Sequence, residues 1–96
     1  GSYNTAVGPN VLQANKNGHN NTALGYTALY SNVTGDANIA LGYQALYAQT
    51  SGSYNIGLGT KADVTAPGLT NAVAIGREAK VGASNSMVLG GVGSYA

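Results

Sequence analysis

Glycine recurs every 17 residues along this chain: Gly8, Gly25, Gly42, Gly59 and Gly76 form one series, and Gly90 follows after 14. A second series, Gly1, Gly18, Gly35 and Gly52, keeps the same step, with Gly68 one residue early. A fixed short period is the mark of stacked repeats, in which each unit buries its apolar side only against its neighbours. Any fold for this chain must therefore set residue i over residue i+17.

The residues ahead of the first series show what is stacked. Val7, Leu24, Leu41, Leu58, Ile75 and Leu89 directly precede each glycine. Thr5, Thr22, Ile39, Ile56, Val73 and Met87 stand two positions earlier, with Ala6, Ala23, Ala40, Gly57, Ala74 and Val88 between them. Large–small–large alternation predicts a short strand with two unlike faces. Strands this short are stable only when paired with their copies in adjacent turns. The pattern assigns the large column to the core and the small one to a face that another chain can approach closely.

After the glycine the repeats diverge. Ala28-Leu29 and Ala45-Leu46 have helix propensity and predict a single helical turn. Ala62 and Val64, and likewise Ala79 and Val81, flank Asp63 and Lys80, the pattern of a half-exposed strand. Around the second glycine series, NKNGHNN, VTGDAN and QTSGSYN are turn chemistry, with glycine expected to supply positive φ. The expected fold is an all-β, left-handed parallel β-roll of about six turns, with single helical turns, filling residues 1–96 as one repeat domain. Its turns are 17 residues long over 1–76 and 14 over 77–90. Gly1-Ser-Tyr-Asn4 repeats Gly52-Ser-Tyr-Asn55, which reads as a fragment of a longer fibrous protein.

Composition narrows the function. The 96 residues include no Cys and only seven charged side chains, for a net charge of +1. Disulfide scaffolds, thiolate metal sites and cysteine nucleophiles are excluded, and there is no basic footprint for nucleic acid. No apolar run is long enough to span a membrane as a helix, so no membrane insertion is expected of this segment. His19 is the only imidazole, whereas a zinc site wants several ligands, so it is read as a solvated turn residue. Asp63, Glu78, Lys61, Arg77 and Lys80 fall close together on stacked turns and predict an exposed salt-bridge cluster. No catalytic, metal or cofactor residues are expected.

Seven tyrosines remain. Tyr26 and Tyr43, like Tyr30 and Tyr47, are one period apart, and Tyr3 and Tyr54 are three. They predict ladders that stabilise by ring-on-ring contact; Tyr26, Tyr30, Tyr43 and Tyr47 are also the candidates for a ligand platform. Asn20-Asn-Thr22 and Asn32-Val-Thr34 fit a glycosylation sequon and are taken as idle.

The segment Asn71-Ala-Val-Ala-Ile-Gly76-Arg-Glu-Ala-Lys-Val, followed by Asn85-Ser-Met-Val-Leu-Gly90, resembles the head repeats of YadA-like trimeric autotransporter adhesins. Its 14-residue step matches that family's period. The earlier turns depart from it: their asparagines, Asn4, Asn21, Asn38 and Asn55, sit four residues before the glycine instead of five. That NTALGYxALYxNxTG pattern is similar to repeats of tail-fibre-like proteins that carry endosialidase-type chaperone domains. The resemblance implies a homotrimer in a non-enzymatic fibre head that binds host matrix protein or glycan. The implied location is a bacterial cell surface or a virion tail fibre; the alternative function is a ligand-free segment of a phage-type fibre. A 96-residue monomer buries only about 60–65% of its surface, which favours association independently.

Overall fold

The structure, a computed structural model, describes residues 1–91. It is all-β, a parallel β-solenoid of about five turns. Eight short strands follow one another: β1 (Thr5–Val7), β2 (Thr22–Leu24), β3 (Ile39–Leu41), β4 (Ile56–Leu58), β5 (Asp63–Val64), β6 (Ala72–Ile75), β7 (Lys80–Val81) and β8 (Ser86–Leu89). The main sheet runs β1-β2-β3-β4-β6-β8, and β5 pairs with β7 in a second, two-stranded sheet. Every pairing is parallel. The register steps by 17, as in Ala23↔Ala40 and Gly57↔Ala74, until the last pair, Ala74↔Val88, steps by 14. The glycine period is thus the height of one turn, and β5 and β7 form where Ala62/Val64 and Ala79/Val81 predicted them.

The two faces of the main sheet are the reverse of the sequence expectation. Ala23, Ala40 and Ala74 are fully buried, whereas Val7, Leu24, Leu58 and Leu89 are 53%, 47%, 40% and 65% exposed. The small column lines the interior and the large aliphatic column faces out. Space decides the matter. Leu29 and Leu46, both fully buried, enter the interior from the far wall of the roll. A Cβ added to Gly57 would lie 2.7 Å from Leu46 Cγ and 2.9 Å from the Ala62 carbonyl oxygen. Only alanine or glycine fits on the near wall. The core is therefore Leu29, Leu46, Val64 and Val81 set against a column of alanines, with Ala28, Ala45, Ala62 and Ala79 beside them.

No helix forms among the described residues. Instead of a helical turn, Thr27, Leu29, Gln44 and Leu46 take left-handed φ values of 58°, 50°, 56° and 53°. The left-handed kink carries each leucine inward and turns its N–H toward the next layer: Leu29 N–H donates to Ala45 O (2.9 Å), and Leu46 N–H to Ala62 O (2.8 Å). Inter-turn bonding overrides a helix propensity worth only tenths of a kcal/mol per residue.

The glycines divide into two kinds. The first series has φ between +103° and +126°, a region closed to other residues. In the second series, the residue just before the strand segment supplies the left-handed step: Tyr3, Asn20, Ala37 and Tyr54, with φ near 60°. Gly18, Gly35 and Gly52 serve close approach instead. A Cβ on Gly35 would drive into the carbonyl oxygen of Gly52 in the next turn.

Candidate functional site

The interior of the first turns holds a ladder of side-chain amides that bears directly on what the outside can do. Asn21, Asn38 and Asn55 are fully buried. Each Oδ1 accepts the backbone N–H one turn on: Asn38 N–H to Asn21, Asn55 N–H to Asn38 and Ala72 N–H to Asn55, at 2.9, 2.9 and 2.8 Å. Each Nδ2 donates to a carbonyl in the next turn: Gly35, Gly52 and Leu69. A second file, Asn15, Asn32 and Gln49, joins the first: Gln49 Nε2 donates to Asn32 Oδ1 and Gln49 Oε1 accepts from Asn55 Nδ2. Among the described residues no buried side-chain polar atom lacks a partner. These amides are structural, and the 17-residue recurrence of asparagine was their only trace in the sequence.

A third file runs along the outer corner. Ser2 N–H donates to His19 Nδ1 (2.8 Å), His19 N–H to Asp36 Oδ1 (2.7 Å) and Asp36 N–H to Ser53 Oγ (3.1 Å). His19 is exposed and serves as one acceptor in this file, as expected of a turn residue. Among the described residues no group of three or more His, Cys, Asp or Glu is arranged to hold a metal ion.

The charged cluster departs from expectation. Asp63 is buried, not part of an exposed salt-bridge network. Its carboxylate accepts Ala48 N–H through both oxygens at 3.1 Å and Val64 N–H at 2.8 Å. Burial pushes its pKa up, against the pull of those two N–H groups and of Lys80. Lys80 Nζ itself donates to the Lys61 carbonyl (2.8 Å), and Arg77–Glu78 is a loose exposed pair at 3.9 Å.

The four candidate tyrosines form two ladders. The Tyr26 and Tyr43 rings stack with centroids 5.6 Å apart and planes within 8°; those of Tyr30 and Tyr47 stack at 5.2 Å and 7°. Stacking uses the facing ring surfaces for each other and leaves edges and hydroxyls toward solvent. Tyr3 and Tyr54, three turns apart, make no such pair; Asn20 and Ala37 stand between them in that column. Of the two sequons, Asn32 is fully buried and Asn20 exposed.

The largest feature outside is the apolar face of the main sheet. Val7, Leu24, Leu41, Leu58, Ile75 and Leu89 stand in one column; Ile39, Ile56, Val73 and Met87 continue the parallel one below Thr5 and Thr22. No charged side chain interrupts it. Aliphatic side chains aligned over six strands make a contiguous patch of the kind that marks an interaction surface. Comparison with protein-family models, curated proteins and solved structures gives no match to this chain. No helix among the described residues is long and apolar enough to cross a membrane.

Proposed function

We propose that this chain is the non-enzymatic head module of a trimeric surface fibre, which buries its aliphatic sheet face against two further copies and presents its other sides to an extracellular protein or glycan. The observation that carries the proposal is that face. Its side chains repeat at the spacing of the turns, about 4.8 Å, and only a partner with the same spacing meets every layer alike. A copy of the same chain has it. The likeness of residues 71–90 to adhesin head repeats supports the same assembly and a left-handed coil. The interior is filled by alanine, leucine and hydrogen-bonded amides, with no cavity for a small substrate, which favours adhesion over catalysis.

The alternative is a ligand-free spacer of a phage-type fibre, favoured by the use of the tyrosine ring surfaces for stacking on one another. Binding of the purified protein to an array of glycans and matrix proteins separates the two. Saturable binding that is weakened by Tyr43→Ala or Tyr47→Ala supports the head module; an empty array supports the spacer.

A further inference from the structure

We propose that Asn17 is a site of spontaneous modification: its carboxamide cyclises onto Gly18 and opens to isoaspartate or aspartate, loosening the first turn as the protein ages. Eight of the 11 asparagines have their side chains tied by hydrogen bonds, and Asn10, Asn17 and Asn20 do not. Of these three, only Asn17 is followed by glycine; Val11 and Asn21 follow the others. Asn17 is exposed, and the N–H of Gly18 has no acceptor among the described residues. Glycine has no Cβ to shield its nitrogen, so the attacking atom is unobstructed and unpaired.

The step balances without an oxidant or other co-reactant. The Gly18 nitrogen gives its proton to water or hydroxide and bonds to Asn17 Cγ. The Cγ–Nδ2 bond breaks and the amide nitrogen leaves as ammonia. Water then opens the cyclic imide at either carbonyl. Opening at the side-chain carbonyl gives aspartate, and opening at the main-chain carbonyl gives isoaspartate, which routes the backbone through the side chain. Either product adds one negative charge, taking the net charge from +1 to zero.

Position makes the consequence specific. The Gly18 carbonyl accepts Asn4 Nδ2 (2.9 Å) and Asn15 Nδ2 (3.2 Å), and Gly1 N donates to the carbonyl of Lys16 (2.8 Å). An extra main-chain atom just ahead of Gly18 displaces the carbonyl that holds turn one on turn two. Gly18 is also packed closely under Gly35 O, so the shift cannot be absorbed in place. The matching positions one and two turns on are Thr34-Gly35 and Ser51-Gly52, which cannot react this way.

The test is to age the folded protein at mildly alkaline pH and map it by peptide mass spectrometry with isoaspartate detection. A portion unfolded in urea and the Asn17→Thr variant are aged alongside. The expected result is conversion at position 17 alone in the folded protein. Protease cleavage near the N-terminus should then become faster in the aged wild type and not in Asn17→Thr. A carboxamide still intact at 17 after the urea-unfolded chain has converted overturns the proposal. Conversion spread equally over Asn10, Asn17 and Asn20, or conversion without added cleavage, overturns the selectivity and the consequence respectively.

Discussion

Up to Gly59 each turn closes through side-chain amides, Asn21, Asn38 and Asn55 on one side and Asn15, Asn32 and Gln49 on the other. From Gly59 onward the second wall becomes a pair of true strands, β5 and β7, with Val64 and Val81 inside. Beyond Gly76 the turn shortens to 14 residues. There the asparagines move one position earlier: Asn71 and Asn85 bond to each other in solvent at 3.0 Å, and Ala72 takes the buried place. The difference shows what the three extra residues do. They carry the second amide file and the corner that lets it reach the first. A three-residue strand specifies its register weakly, and a fully bonded buried amide file specifies it strongly.

The contrast should break most sharply at Asn38. Asn38→Ala strands the N–H of Asn55 and the carbonyl of Gly52 in the interior, and at about 1–3 kcal/mol for each orphaned group the loss should be several times that of Asn71→Ala. Denaturant midpoints of the two variants measure the gap; equal losses would mean the amide file adds no stability. The leucines come next. Leu46→Ala should cost about 2–5 kcal/mol, whereas Leu41→Ala, on the outer face, should cost the isolated chain far less and act mainly on assembly.

The glycines sharpen the comparison by sign. Gly42 has φ +124° and a Cβ there would lie 2.8 Å from the Gly59 backbone, so Gly42→Ala should destabilise by more than about 1 kcal/mol. Gly68, in the C-terminal half, has nothing closer than Ser51 Oγ at 3.4 Å and no positive φ. Gly68→Ala should be neutral or stabilising by up to about 1 kcal/mol, through the unfolded chain. Thermal melts of the pair decide it.

The smallest expected effect is on pH. Burial holds Asp63 more protonated in the folded chain than in the unfolded one, so between the ordinary value of 3.8 and the raised one the native state binds more protons. Stability contributed by Asp63 is therefore present at acid pH and falls as pH rises through that window. Asp63→Asn should flatten this part of the pH–stability profile, read by urea titration at a series of pH values.

The stacking, the period and the corner glycines were legible because identical residues recur at one spacing and only glycine meets the first corner. The tyrosine ladders were legible for the same reason. The direction of the sheet faces was not. Large–small alternation distinguishes two faces without saying which is inside, and the answer lay in Leu29 and Leu46, four residues past a glycine, filling the roll from the opposite wall. Their alanine–leucine context suggested helix because propensity ignores a neighbouring turn waiting to accept the N–H. The buried asparagines were missed for a related reason: amides suit turns, and their burial depends on carbonyls 14 residues away. Asp63 was taken as exposed because its partner, Ala48 N–H, is likewise visible only in the fold.

The central claim is that the small column is inside and the aliphatic column outside, where it joins copies of the chain. Sedimentation equilibrium of the wild type and of Leu58→Lys, with circular dichroism to verify the fold, tests it most directly. The account predicts a trimeric mass for the wild type and a folded, β-rich monomer for Leu58→Lys. A wild-type monomer, or a Leu58→Lys chain that unfolds as a buried lysine would demand, contradicts it.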